Sequence, residues 1–309
     1  MSLQEMHESV YLPEAATVHA PRTVSWRSYL ALTKPRIISL LLFTALTAMF
    51  IASDAQHPVT WMAFLAVAIG GYMAAGAANT FNMLIDRDID ATMVRTAERP
   101  TVTQEITPRN AFLFAAALTV GSFGLLWAVT GLLSALMAFS GLLFYVVIYT
   151  LLLKRRTTQN IVIGGAAGCF PPLVGWAAVT HHLAPMAWLL FAIIFFWTPV
   201  HFWALALLIK DDYARAGVPM LPVVRGDKTT VDQIALYTVP TVLTTLLPLK
   251  IYALGTFYLI SSVLINVGLI YYVYRIHRNP SRPQALWLFK YSMIYLALIF
   301  LTMAIARHI

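Results

Sequence analysis

The chain has 309 residues, of which 60% are hydrophobic and only 11% charged, with a mean hydropathy of +0.74. That is too little polar surface to coat a soluble globule, so the composition describes a polytopic membrane protein. The net charge of +8 does not imply nucleic acid, whose recognition needs a basic surface on a polar domain that this composition lacks.

Residues 1–27 are polar and contain Glu5, Glu8 and Glu14, with neither an apolar signal core nor an Arg-rich, acid-poor transit pattern. We expect no cleaved signal, a disordered cytoplasmic tail over 1–27 and one intramembrane domain over 28–309. Apolar runs of about 20 residues, the length that crosses the hydrocarbon core, fall at roughly 37–53, 61–85, 111–129, 132–153, 161–180, 184–208, 234–252, 255–274 and 286–306. The expected fold is an all-α bundle of nine spans. Its least regular join is the seventh to the eighth, where Pro240, Pro248 and Lys250 interrupt the apolar pattern.

With a cytoplasmic N-terminus, the inner segments hold most of the Lys and Arg, among them Lys34, Arg36, Arg95, Arg99, Lys154, Arg155, Arg156, Lys210 and Arg215. Lys250 and Arg307 fall outside, and Lys290 lies just within the last span. The positive-inside rule then sets the orientation, with the polar chemistry facing the cytoplasm; the expected location is a bacterial inner membrane. The outer loops are short and bland.

At the end of the second span, Asn82, Asp86 and Asp90 recur at four-residue spacing. Each step of four on a helix advances about 400°, so three oxygen-bearing side chains share one face. Carboxylates where the chain leaves hydrocarbon are costly unless solvated, paired or bound to a cation. Hard oxygen ligands suit Mg²⁺, which takes one or two carboxylates and completes its shell with water and substrate phosphates. Asp88, some 200° from Asp86, reads as an ordinary polar helix end. Arg95 and Arg99 follow one helical turn apart, and Lys154, Arg155 and Arg156 add three cations on the same side. Guanidinium forks match phosphate oxygens, so this set suits a diphosphate that must be held and stabilised as it leaves.

The third inner loop echoes the first: Asp90 precedes Pro100 by ten residues and Asp212 precedes Pro222 by ten. Asp211 and Asp212 point about 100° apart, so one of them is expected to face the site and support a second metal ion. In the fifth span, Gly164, Gly165 and Gly168 read as close helix packing, like Gly70 and Gly71 in the second. Cys169 reads as a small buried residue, and Pro171–Pro172 should bend that span. His201 sits deep in the sixth span after Pro199. Its position allows it to ligate a metal porphyrin, to move a proton or to bond a neighbouring helix. His181 and His182 read as exposed loop residues.

The motifs LTKPRI (32–37), DRDIDATMVRTAERP (86–100), KRRTTQNIVIGGAAG (154–168), PPLVGW (171–176), WTPVHFWALA (197–206) and DYARAGVPMLPVV (212–224) occur in order. With the Asn-x-x-x-Asp-x-x-x-Asp of Asn82, Asp86 and Asp90, the chain from about residue 28 onward resembles the UbiA superfamily of intramembrane prenyltransferases, and within it the branch that farnesylates haem. The resemblance implies a nine-helix bundle around a central cavity opening to the cytoplasmic side. It also implies Mg²⁺-dependent transfer of farnesyl from farnesyl diphosphate to a vinyl group of haem b. In this reading Asn82, Asp86 and Asp90 hold Mg²⁺, with Asp211 or Asp212 supporting a second ion. Arg95, Arg99, Lys154, Arg155 and Arg156 neutralise the diphosphate, and His201 is a haem-side candidate. The implied partners are the lipid bilayer and, downstream, haem A synthase or a terminal oxidase. One departure stands out: the superfamily's usual second Asp-x-x-x-Asp is occupied here by Ile209 and Tyr213, which weakens a two-metal scheme.

Two other readings are open to the trio. The first is prenylation of an aromatic acceptor such as 4-hydroxybenzoate, against which the motifs at 197–206 and 212–224 argue. The second is a transporter with intramembrane carboxylates as ion sites. Transport predicts acids near the bilayer midplane, whereas these lie at a helix end among phosphate-matching cations.

Overall fold

The computed structural model describes residues 24–309. The expected N-terminal tail lies outside the described residues up to position 23, and the first helix opens at Trp26 under a Ser25/Ser28 capping box.

Among the described residues all regular structure is helical, and nine helical segments are long and apolar enough to cross a membrane. In chain order the elements are α1 (Trp26–Thr33), α2 (Pro35–Ala52), α3 (Trp61–Ile85), α4 (Arg87–Thr92), α5 (Pro108–Thr130) and α6 (Leu132–Leu143). A π-helix (Phe144–Leu153) continues α6; short α7 (Asn160–Gly164) and a 3₁₀ turn (Gly165–Cys169) lead into α8 (Phe170–Thr180). Then come α9 (Pro185–Leu208), α10 (Lys210–Arg215), α11 (Leu221–Ile251), α12 (Thr256–Arg278) and α13 (Arg282–Ala306). The nine expected spans are all present, and the chain is an integral multi-pass membrane protein.

Each spanning helix packs on the next, and α13 returns to α2, closing a ring. The most extensive pairings that cross it are α2 with α8 and α9 with α13. The outer faces of α5 and α12 present large apolar side chains such as Leu113, Val120, Leu264 and Val267, as a lipid-facing surface should.

Two devices hold the helices together where hydrophobicity gives no drive toward association. The first is close backbone approach: a Cβ on Gly175 of α8 would stand 1.9 Å from the Ala45 carbonyl oxygen of α2. The packing reading also holds for Gly70, Gly164 and Gly165, whose Cβ atoms would fall within 3.0 Å of Leu126, Tyr149 and Thr198. It does not hold for Gly168, which has nothing within 4 Å. The second device is a buried polar network. Tyr295 Oη donates to Asn266 Oδ1 (2.8 Å), Asn266 Nδ2 to Thr245 Oγ1 (3.1 Å) and Tyr258 Oη to Thr245 O (2.7 Å), tying α11, α12 and α13.

The fifth span changes its winding at the 3₁₀ turn Gly165–Cys169, and Pro171 and Pro172 fall in the first turn of α8, where proline is tolerated. Cys169 is fully buried and its thiol lies 3.6 Å from Gly165 O. The seventh span begins 13 residues before its expected start at 234: α11 opens at Leu221 and kinks at Gly226, whose φ of 80° is available to glycine without strain.

Candidate active site

The site is built where α3 meets α4. α3 ends at Ile85 and α4 begins at Arg87. Helical bonding nevertheless continues through the junction, since Asp86 N donates to Asn82 O at 2.9 Å and Asp90 N to Asp86 O at 2.8 Å. The four-residue spacing therefore keeps the three side chains on one face, and Asn82, Asp86 and Asp90 are 3%, 0% and 2% exposed.

Two buried carboxylates demand compensating charge, and cations from two segments supply it. Lys154 Nζ lies 2.5 Å from Asp86 Oδ2 and Arg155 Nη2 3.4 Å from Asp86 Oδ1. Arg99 donates to Asp90. The Asn82 amide joins these partners, donating from Nδ2 to Asp86 Oδ2 (2.6 Å) and to Thr150 Oγ1 (3.2 Å) while Oδ1 accepts from Lys34 Nζ (3.0 Å).

Lys34 joins this cluster, a neighbour that sequence reasoning missed. It occupies the one-residue joint between α1 and α2 at a φ of 55°, an uncommon conformation for a non-glycine residue. The signal was available as a lysine wedged before Pro35. Burial, then the charges of Arg99 and Lys154, push its ammonium well below the usual lysine range, with Asp90 and Asp86 opposing.

Lys154 reaches Asp86 because of how the chain before it winds. In the π-helix Lys154 N donates to Tyr149 O (2.8 Å), and Thr150 Oγ1 donates to Tyr145 O (2.9 Å). Winding of this kind takes about 4.4 residues per turn, or roughly 82° per residue, against 100° in an α-helix. From Tyr145 to Lys154 there are nine steps: an α-helix would carry Lys154 about 180° away, whereas the π-helix leaves it within about 20°. Tyr149 and Thr150 fall within about 50° of the same direction. Four polar side chains thus share one face, with the rings of Tyr145 and Tyr149 stacked at 5.3 Å.

The remaining expected residues are distributed unevenly. The segment after α4 is a run of turns, not a helix, so Arg95 and Arg99 are not successive residues of a helical face. Thr96 Oγ1 donates to Asp90 O (2.8 Å), and the chain folds back to deliver Arg99 to Asp90. Arg95 is exposed, and its charge acts on Tyr213. Burial raises the Tyr213 phenol above its usual range, Arg95 and Arg99 oppose this, and Asp212 and Asp86 reinforce it. Tyr213 packs against the hydrophobic core. Asp88 is mostly exposed and binds Arg155 through two bonds of 2.6 Å, which lower its carboxyl below the usual range and raise the guanidinium. Arg156 is exposed. Of the second acidic pair, Asp211 is exposed, whereas Asp212 has a side chain only 13% exposed and pairs with Arg215. His181 and His182 are exposed, as expected. His201 is buried against α13, away from these charges.

Among the described residues no three His, Cys, Asp or Glu side chains converge on one point. What the cluster holds is two carboxylates and the Asn82 amide, whose nitrogen bonds Asp86 and whose oxygen accepts from Lys34. That donor set fits Mg²⁺ in the manner that leaves most of its shell to water and phosphate.

Residues 41–299 match the UbiA prenyltransferase family. The chain is 60% identical over 283 residues to a protoheme IX farnesyltransferase of Thermus thermophilus, covering 92% of this chain and 46% of that relative. It therefore spans about half the length of the Thermus protein. With the protoheme IX farnesyltransferase of Deinococcus radiodurans it shares 53% identity over 294 residues, 92% of this chain and 94% of the relative. The fold matches a digeranylgeranylglyceryl phosphate synthase structure with a TM-score of 0.75 at 19% identity, covering 91% and 98% of the two chains. It also matches a UbiA homologue from Archaeoglobus fulgidus bound to GPP and Mg²⁺, with a TM-score of 0.65 at 18% identity over 89% and 99%. On the extent of the family match and on these identities, the chain belongs to the UbiA prenyltransferase family.

Proposed function

We propose that the protein transfers the farnesyl group of farnesyl diphosphate to a vinyl group of haem b, releasing diphosphate and forming haem O. The activity borne by the Thermus and Deinococcus relatives supports the choice of substrates. The observation that carries the chemistry is the burial of Asp86 and Asp90 on one helix face with a cation against each. Mg²⁺, seen with a prenyl diphosphate in the Archaeoglobus homologue, would supply Lewis-acid charge to the departing phosphates.

Asp86 and Asp90, with Asn82, would hold that ion, and Asp212 is the better placed of the second pair to support another. Lys154 and Arg99, which pair with these carboxylates here, would bond phosphate oxygens when the carboxylates hold the ion. Lys34 and Arg155 touch the same cluster, and Arg95 and Arg156 would add phosphate-binding charge beyond it. The C–O bond to the diphosphate breaks, leaving an allylic cation. The electron-rich vinyl carbon attacks it, and water captures the new cation beside the porphyrin and loses a proton, giving the hydroxyethylfarnesyl group. Water must be excluded before the vinyl carbon attacks and admitted after.

In this reading a cavity among the helices opens at the charged end, which would face the cytoplasm of a bacterial inner membrane; the Lys and Arg distribution supports that orientation. The product would pass to haem A synthase or directly to a terminal oxidase. Membranes holding the protein, supplied with farnesyl diphosphate, Mg²⁺ and haem b, should yield haem O by mass. Turnover of 4-hydroxybenzoate or another acceptor with no haem product would reject the assignment.

A further inference from the structure

His201 lies inside α9, seven residues before Leu208 and so about 10 Å along the helix from the charged end. It is 7% exposed, and an ionisable side chain at such depth calls for a function. Its surroundings specify the state of the ring. Trp197 Nε1 donates to Ser292 O (2.8 Å), locking α9 to α13. Ser292 Oγ donates to Phe289 O (2.8 Å) and stands 2.7 Å from His201 Nδ1. A serine hydroxyl has one proton. With that proton directed at Phe289, Ser292 Oγ accepts, Nδ1 carries the hydrogen, and the lone pair of the neutral ring is on Nε2.

The ring is also immobilised. Trp197 stacks on one side at 4.5 Å and 16°, Phe289 stacks at 4.8 Å and 25°, and Phe202 meets it edge-on at 5.0 Å. Nε2 has no hydrogen-bond partner among the described residues, yet it is not sealed in as the Nε1 atoms of Trp176 and Trp203 are. A histidine serving only to join helices would bury Nε2 or satisfy it. The groups that touch the ring carry no charge that would hold an imidazolium. What remains is a rigid, neutral imidazole whose Nδ1–H is bonded and whose Nε2 is free, the arrangement in which histidine binds a metal.

We propose that His201 Nε2 is an axial ligand to the iron of the porphyrin acceptor, with Ser292 as the positioning residue that sets its tautomer. This rests on the haem reading above. Ligation would fix the macrocycle at its centre and hold a peripheral vinyl group in one place, leaving the edge free to react.

The test titrates purified protein with ferric haem and, in parallel, with iron-free protoporphyrin, following the Soret band and the iron–histidine stretch of the ferrous form. Wild type should show histidine-ligated haem. His201→Ala and His201→Gln, the second of which can still bond Ser292, should both lose that signature. Each should weaken haem binding by about tenfold or more, leave protoporphyrin binding within about twofold, and recover the signature with added imidazole. Ser292→Ala should keep the ligand but lower the stretching frequency, because the ring loses its Nδ1 acceptor. An unchanged spectrum in both His201 variants would overturn the proposal, as would equal loss of haem and protoporphyrin binding. If wild type farnesylates haem while the spectrum ignores His201, ligation alone falls. If wild type neither binds nor farnesylates haem, the substrate assignment falls with it.

Discussion

The pairing of Asp86 with Lys154 makes a prediction that separates folding from catalysis. Asp86 is fully buried, and its carboxylate is satisfied by Lys154 Nζ at 2.5 Å, the Asn82 amide at 2.6 Å and Arg155 at 3.4 Å. Arg155 is already committed to Asp88 through two bonds, so Lys154→Met strips the carboxylate of its main counter-charge. Breaking a buried pair from one side costs about 3–5 kcal/mol. The low end, about 3 kcal/mol, applies here because Asn82 and Arg155 stay. Asp86→Asn strands an ammonium whose side chain is 11% exposed and which has some path to water, costing about 2 kcal/mol. The double variant leaves neither charge buried, so its loss should be about 2 kcal/mol rather than the sum of the two singles, a coupling of about 3 kcal/mol. Reversible unfolding in mixed micelles measures all four proteins. Farnesyl transfer should fall at least about a thousandfold in each variant, equivalent to about 4 kcal/mol of barrier, because restored charge balance does not restore the metal and phosphate ligands. Additivity of the single losses to within about 0.5 kcal/mol, or a double variant with near wild-type activity, would refute this account.

Other consequences are as direct. Deleting Val147 from the π-helix should rotate Lys154 by about 80–100° and lower activity more than about a hundredfold while circular dichroism and insertion stay the same; an active deletion variant would show that the winding does not place Lys154. Arg99→Ala frees Asp90 and removes a phosphate partner, so the KM for farnesyl diphosphate should rise about tenfold with little change for haem, and equal changes in both would count against it. Gly175→Ala would put a methyl 1.9 Å from the Ala45 carbonyl oxygen, a backbone clash that α2 and α8 relieve only by separating. A loss of about 2 kcal/mol or more is expected, and a melting temperature equal to wild type would show that these helices are not in contact.

The fold was legible wherever hydrocarbon sets the constraint. Trp61–Ile85 is the helix expected over 61–85 because both ends are marked, by Thr60 capping the start and by charged residues at the finish. The seventh span is present where its apolar run was expected from 234, but its helical segment is longer and begins at Leu221. Arg225, Asp227, Lys228 and Asp232 make that stretch polar, so hydropathy ends there, whereas the helix resumes directly after its break at Gly226. Hydropathy reports where lipid is, and a helix that projects beyond the lipid shows no apolar trace of its length.

The site was legible in proportion to how far its geometry follows α-helical counting. Asn82, Asp86 and Asp90 are on one face because i to i+4 bonding continues through their junction. The partners of Lys154 were not legible: α-helical counting from Tyr145 sends it to the opposite side, and nothing in Phe144–Leu153 announces another winding. The β-branched run Val146, Val147 and Ile148 weakens an α-helix only slightly. Tertiary structure must therefore select the register. An α-wound segment would leave Asp86 buried without its ammonium, at several kcal/mol, and would take Thr150 from Asn82. A π-helix, rare because its local bonding is poorer, satisfies both contacts. The unusual winding is thus a consequence of the acidic pair: once two carboxylates are buried at the end of α3, the helix facing them must bring them a cation, and it adopts the turn that does so.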